Sequence, residues 1–220
     1  MPYVGNDLVD LKEPANAGKS QDSRFLKKIL TNAEIEFVQN AENPDASLGS
    51  FWACKETAYK VIKKIIFDAT FLPRQWQVIF TKTKSEYSDG EVIIPGKGKV
   101  YIRNFPKSDY IHCVGTDKLA ALDKLIWSVD VLPEKEVINP SISVRHRLGQ
   151  DLARHFSLNF HDIKIKRTRE NGELAPPRVY VSGRKTDIDI SLSHDGRFIA
   201  YVFCRGLQQK LSDKKSFSIL

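Results

Sequence analysis

The chain has 220 residues, 41% of them hydrophobic, with 12 Phe, 7 Tyr and 3 Trp, enough to bury a substantial core in one large or two small domains. Lys and Arg outnumber Asp and Glu by 34 to 27, and the net charge of +7 favours anionic partners without choosing among phosphorylated cofactors, nucleic acids and acidic proteins. No run approaches the roughly 18 apolar residues of a membrane span, and the opening Met1-Pro2-Tyr3-Val4 has neither a basic leader nor an apolar signal core, so the expectation is a cytoplasmic protein without membrane association.

Tyr3 to Leu11 alternates weakly and reads as a first strand, ended by Pro14 and Gly18. Ser23 to Leu30 is an amphipathic helix, and Thr31-Asn32-Ala33-Glu34 has the spacing of a capping box that opens a second. Pro44 and Gly49 read as a loop, after which Ser50 starts a longer helix with Trp52, Tyr59, Ile62 and Ile66 at helical intervals and Glu56, Lys60, Lys63 and Lys64 on or near a polar face. From about residue 75 the period becomes two, giving strands at 75–80, 99–103 and 110–115, with Asp89-Gly90 and Pro95-Gly96 as turn pairs. The cysteines Cys54, Cys113 and Cys204 are odd in number and embedded in apolar runs, the pattern of buried reduced thiols.

A new strand begins around 124–131 and the plan repeats: a helix over about 142–156, then strands at 163–166, 178–181, 187–192 and 198–203. The expected division is 1–120, 121–205 and a basic tail over 206–220. The fold class expected is α+β, two halves each with a helix packed on a small, mainly antiparallel sheet.

Three constellations carry chemistry. Gly5-Asn6-Asp7 delivers a carboxylate, with Asp10 three residues on, and the helix presents Lys55, Glu56 and Lys60. If they meet, the carboxylates suit a hard divalent ion that completes its shell with water and phosphate, while the lysines neutralise phosphate charge. Taken singly, Asp7 is equally a strand-end aspartate and Glu56 an i, i+4 partner of Lys60. The third constellation is Ser193-His194-Asp195-Gly196-Arg197 at a strand end, with hydroxyl, imidazole and guanidinium donors for a phosphate, or else a plain surface turn. It is not a Ser-His-Asp relay, because neighbours on one strand point to opposite faces. Arg145, His146, Arg147 and Arg154 give the second-half helix a basic face, and residues 167–177 read as a hairpin loop.

Together these segments resemble the 4′-phosphopantetheinyl transferase superfamily, which includes holo-carrier-protein synthases and surfactin-type enzymes. Gly5-Asn6-Asp7 matches its Gly-x-Asp motif, Trp52 through Lys60 its Trp-x-x-Lys-Glu-x-x-x-Lys helix, and Ser193-His194-Asp195-Gly196 its Ser-His-Ser-Gly strand end with one substitution. Arg24-Phe25 followed by Thr31 and Glu34 looks like the family's Arg-Phe-Phe helix and Thr-x-x-Glu. The Asp/Lys-Glu half leads here, whereas it comes second in surfactin-type enzymes, so the chain looks circularly permuted. The resemblance implies a two-half fold related by a pseudo-two-fold axis. It implies a Mg²⁺-dependent transfer of the phosphopantetheine arm of coenzyme A to a serine of an apo acyl or peptidyl carrier protein.

Carried over by position, Asp7 and Glu56 would hold Mg²⁺ with Asp10 as an additional acid. Glu56 is also a candidate base. Lys60 would contact the pyrophosphate beside Lys55, and Arg145 and His194 would bind the nucleotide phosphates with Ser193 assisting. The family's Gly-Lys-Pro loop is altered to Gly172-Glu173-Leu174-Ala175-Pro176, placing an acid where a lysine is usual. A silent coenzyme-A-binding or scaffolding relative is the alternative. The expected partners are coenzyme A and the carrier protein, not nucleic acid, with two halves in one chain sufficing as a monomer.

Overall fold

Strand β1 (Val4–Asp10) is buried along its whole length. The computed structural model describes residues 1–132, 139–170 and 172–205, so the tail expected over 206–220 lies outside the described residues. After β1 come α1 (Ser23–Ile29), whose amides are capped by Asp22, and α2 (Asn32–Gln39). The capping box is present: the Glu34 amide donates to Thr31 Oγ1 at 3.3 Å and the Thr31 amide to Glu34 Oε2 at 2.8 Å.

Helix α3 (Pro44–Ile65) starts six residues before the expected Ser50. Asn43 accepts a hydrogen bond from the Ala46 amide at 3.0 Å and Pro44 occupies the first turn, where its missing N–H costs nothing, so the presumed loop is a helix start. Leu48, Phe51, Cys54, Ala58, Val61 and Ile62 of α3 share one core with Val92, Val100, Ile102, Ile111 and Cys113 of the sheet beneath.

That sheet contains β2 (Gln77–Thr83), β3 (Ser88–Ile94), β4 (Gly98–Pro106) and β5 (Tyr110–Thr116), in the order β1-β5-β4-β3-β2 with antiparallel pairings. The strand β3 was not expected, and the Asp89-Gly90 turn is corrected: Gly90 lies inside β3 between Phe80 and Ile102. A Cβ on Gly90 would stand 2.4 Å from the Ile79 carbonyl, where β2 is bulged between Phe80 and Lys82, so the glycine serves a close backbone approach. The reversal falls earlier, with the Lys84 amide donating to Tyr87 O, while Pro95-Gly96 turns as expected, with Gly96 at φ 71°.

The remaining strands are β6 (Ile126–Val131), β7 (Ile163–Lys166), the two-residue hairpin β8 (Arg169–Glu170) and β9 (Glu173–Leu174), β10 (Arg178–Val181), β11 (Arg184–Lys185), β12 (Ile188–Asp195) and β13 (Phe198–Arg205), with α4 (Pro140–Phe156) after β6. They form sheets β12-β13-β6 and β11-β10-β7. Val144, Leu148 and Leu152 of α4 pack with Val179, Ile190, Tyr201 and Phe203. The fold class is α+β, as expected. All three cysteines are free and buried, and no helix among the described residues is long and apolar enough to cross a membrane.

Strands β1 and β12 lie side by side in parallel, joined by side-chain rungs. The amides of Val4, Asn6 and Asp10 donate to Asp189 Oδ2 (2.6 Å), Ser191 Oγ (3.1 Å) and Asp195 Oδ2 (2.8 Å). The alternation of β12 explains this: Ile188, Ile190 and Leu192 turn to the α4 core, leaving the Asp and Ser residues between them on the face toward β1. Buried amides of an outer strand need partners, and β12 supplies them.

Candidate active site

The site begins with Gly5. A Cβ there would stand 2.3 Å from the Thr57 carbonyl, so only glycine lets β1 lie this close to α3. That approach brings Lys60 to the strand, where its Nζ donates to Asn6 O and Asp7 Oδ1, both at 2.8 Å. Ser193 Oγ donates to the same Asp7 oxygen at 3.0 Å. Glu56 stands one turn before Lys60 on the same face of α3. Burial, then the nearby Asp7 charge, pushes its carboxyl up to about 7, with Lys60 opposing.

Two cavities meet at these residues. The larger, about 890 Å³, is lined by Glu56, Lys60, Lys63, Arg145, Arg167 and His194 among others, with Tyr59, Phe71 and Pro176 giving it apolar wall. The smaller, about 280 Å³, is lined by Asp7, Glu56, Trp52, Phe25 and His194. Glu56 and His194 belong to both, so they stand where the spaces adjoin. The larger has the size and charge for a phosphorylated nucleotide.

Asp7, Glu56, Lys60, Arg145 and His194 are therefore brought together, with Ser193 bonded to Asp7, and two expected residues, Lys55 and Asp10, are not. Lys55 is fully buried, with its Nζ on Glu34 Oε2 (2.5 Å), Ile29 O and Pro73 O (both 2.9 Å). The expectation that it binds cofactor is corrected: it ties α1, α2 and the segment before β2 to α3. Burial lowers its pKa while the Glu34 charge opposes the shift. Asp10 is also corrected. It faces away from Asp7 and is gripped by Arg197, with Nε to Oδ2 at 2.9 Å and Nη2 to Oδ1 at 2.7 Å. That pairing holds its carboxyl at about 2 and commits it to a structural ion pair rather than to a metal. It equally commits Arg197, which had been a candidate phosphate donor. Ser193 points into the seam between β1 and β12 and orients Asp7 instead of lining the larger cavity.

Several contributors were not foreseen. Lys64 is enclosed by Asp189 Oδ2 (2.8 Å) and the carbonyls of Val4 and Ile190 (both 2.6 Å), locking α3 to β1 and β12 at once. The alternation of 188–195 was the signal that could have exposed this polar seam. Arg167, Arg169 and Lys63 add positive charge to the larger cavity. His112 is buried and stacks on Phe105; burial, then Lys60, lowers its pKa to about 3, so it stays neutral beside Asn6.

No group of three or more His, Cys, Asp or Glu side chains positioned to hold a metal is found among the described residues. Asp7 and Glu56 still suit one class of ion. Mg²⁺ commonly takes one or two carboxylates and fills its shell with water and phosphate oxygens. Burial and the neighbouring Asp7 charge both raise the Glu56 carboxyl, as expected of two carboxylates that share a poorly solvated place.

The sequence model of the 4′-phosphopantetheinyl transferase superfamily matches residues 3–114. The chain belongs to this superfamily. The match ends within β5 and contains Asp7, Glu56 and Lys60, so the superfamily signature lies in the part of the chain that holds the carboxylate pair. Among similar proteins, a holo-[acyl-carrier-protein] synthase of Caldanaerobacter subterraneus subsp. tengcongensis is 30% identical over 97 residues, covering 44% of this chain and 71% of that protein. One of Leptospira biflexa is 32% identical over 62 residues, 28% of this chain and 49% of that one. Another, of Campylobacter fetus, is 36% identical over 59 residues, 27% and 48% respectively. The chain spans about half the length of the Leptospira and Campylobacter relatives it matches.

Proposed function

We propose that this phosphopantetheinyl transferase superfamily member moves the phosphopantetheine arm of coenzyme A to a serine of an apo carrier protein, releasing 3′,5′-ADP. The observation that carries this reading is geometric: Glu56 stands with Asp7 and Lys60 where a cationic cavity meets a smaller one. In the reading, the larger cavity takes the nucleotide and pyrophosphate, and Arg145 and His194 bind phosphate oxygens. Lys60 holds positive charge at the floor, where the departing ADP gains negative charge. Glu56 accepts the proton of the serine hydroxyl. The serine oxygen bonds to the β-phosphorus as the bond from phosphorus to the oxygen of ADP breaks. Asp7 and Glu56 would also hold Mg²⁺, which when bound supplies charge neutralisation to the pyrophosphate.

The second half of the site belongs to residues 121–205 in this reading. Support comes from a shared plan: β1 leads through α3 to β5, which pairs back on β1, and β6 leads through α4 to β13, which pairs back on β6. The permuted order of the halves remains part of the proposal, as do a monomeric state and a cytoplasmic setting.

The test is incubation with coenzyme A, Mg²⁺ and a panel of apo carrier proteins, read by intact mass. The expected result is addition of the phosphopantetheine arm, abolished by Glu56→Ala. A folded protein that modifies no carrier would sink the transfer reading. A second reading, coenzyme A binding without turnover, draws on the Glu173 carboxylate at the rim of the cavity. Calorimetric binding without mass gain would establish it.

A further inference from the structure

A cavity built for a polyanion has little use for an acid at its rim, yet Glu173 lines the larger cavity from the β8–β9 hairpin. Its carboxylate reaches across to α3, with Oε2 3.2 Å from Lys63 Nζ. The two partners are unequal: the Glu173 side chain is 62% exposed and that of Lys63 is 20% exposed. Lys63 lies three residues from Lys60, so both ammonium groups serve the same cavity. Lys60 and Lys64 are anchored by the buried carboxylates of Asp7 and Asp189, whereas the charge on Lys63 is met by an exposed one.

The hairpin backbone does not depend on this contact. Arg167 donates to the carbonyls of Ala175 (2.8 Å) and Leu174 (3.2 Å), and Arg169 to that of Gly172 (3.0 Å). Rotation of the Glu173 side chain alone would therefore open the ion pair, leaving Lys63 over the Phe67 ring and the hairpin in place. An exposed carboxylate–lysine pair contributes little, while a dianionic phosphate on an ammonium makes a stronger charge-assisted bond.

We infer that Glu173 is an affinity-setting gate residue: a displaceable carboxylate that holds Lys63 until a phosphate of the incoming ligand replaces it. This rests on the reading that the cavity takes a phosphorylated ligand, coenzyme A in the first instance. The exchange favours ligands that bring a doubly charged phosphate to Lys63. A ligand presenting a neutral group there leaves the pair closed and gains nothing from Lys63.

The test is calorimetric titration of the full chain with coenzyme A and, separately, inorganic pyrophosphate, using wild type, Glu173→Gln, Lys63→Gln and the double variant. Both residues are at the rim, so the variants should fold, and a thermal melt verifies it. Glu173→Gln is expected to lower Kd about three- to tenfold, and Lys63→Gln to raise it by a similar factor. In the Lys63→Gln background the same Glu173 change should shift Kd by less than about twofold, because the residue it masks is gone. Unchanged or weaker binding by Glu173→Gln overturns the inference. So does a gain that survives intact without Lys63, which would make Glu173 a general repulsive charge. If wild type binds pyrophosphate but not coenzyme A, the coenzyme A reading falls and the pyrophosphate series decides the gate. If it binds neither, both fall.

Discussion

The α3 wall of the larger cavity and the facing wall built from α4 and the hairpin both present cations, but they hold them in different ways. Lys60 and Lys64 on α3 are fixed by Asp7 and Asp189, partners 53 and 125 residues away in the chain. Lys55, on the buried side of the same helix, is fixed by Glu34. Opposite, Arg145 bonds to Ser141 within its own helix, and Arg167 and Arg169 bond to carbonyls of their own hairpin. Pairs that join distant elements over-determine a side chain's position, whereas bonds within one helix or hairpin let it turn toward a ligand. The wall assigned the chemistry is thus preorganised, and the wall assigned recognition is adaptable. Mutations on the first should act on kcat, and on the second mainly on KM.

The largest effect is expected at the carboxylate pair. Asp7→Asn or Glu56→Gln should lower kcat for carrier modification by about 10²–10³-fold while the KM for coenzyme A changes far less. Steady-state kinetics with a modified-carrier mass assay checks this. If KM carries the loss instead, the division between the two walls is wrong.

Next comes the helix that carries Glu56. Lys55→Met leaves Glu34 buried with its charge unmet, which should cost about 3–5 kcal/mol in urea unfolding. Adding Glu34→Gln should restore part of that, since a neutral side chain no longer needs the ammonium and can still accept from the Thr31 or Val78 amide. A Lys55 variant of unchanged stability but weakened coenzyme A binding would return Lys55 to the cavity.

These residues show how far the sequence could be read. The Gly5–Asp7 strand, the capping box and the helix face that carries Glu56 and Lys60 followed from spacing and residue type, because each depends on neighbours a few positions away or on a motif of fixed offsets. Lys55 was misread although helix geometry excludes it: at about 100° per residue it lies roughly 140° around from Lys60. Asp10 was misread on the same kind of ground, since an odd offset from Asp7 on a strand puts it on the other face. Strand β3 was hidden because Gly90 looks like a turn residue until its close contact with Ile79 is seen. The Asp10–Arg197 and Lys64–Asp189 pairs join residues more than a hundred positions apart, and local pattern holds no record of them.

The Asp10–Arg197 pair gives an acid signature intermediate in size. The folded pKa of Asp10, about 2, lies below its ordinary 3.8, so its contribution is fully present above pH 3.8 and lost as pH falls through 2. The shift corresponds to about 2 kcal/mol at neutral pH. Urea melts of Arg197→Gln should show that loss at pH 7 and a smaller difference from wild type near pH 2 to 3. A pH-independent difference would mean that Arg197 acts through packing on Phe198 and not through the charge of Asp10.

The smallest effect is expected on the wall of α4 and the hairpin and tests the comparison from its other side. Arg145→Ala should raise the KM for coenzyme A by about tenfold with kcat nearly unchanged, and the increase should shrink in high salt because the contact is partly exposed. Arg145→Lys should recover part of it, since charge survives but the planar fork does not. The same titration on Lys60→Met should give the opposite division, a kcat loss that salt does not erase, because that ammonium sits on Asp7 and the Asn6 carbonyl. If Arg145 and Lys60 variants lose kcat in the same proportion, the two walls act as one preorganised shell, and the looser hold on Arg145 has no bearing on how the ligand is held.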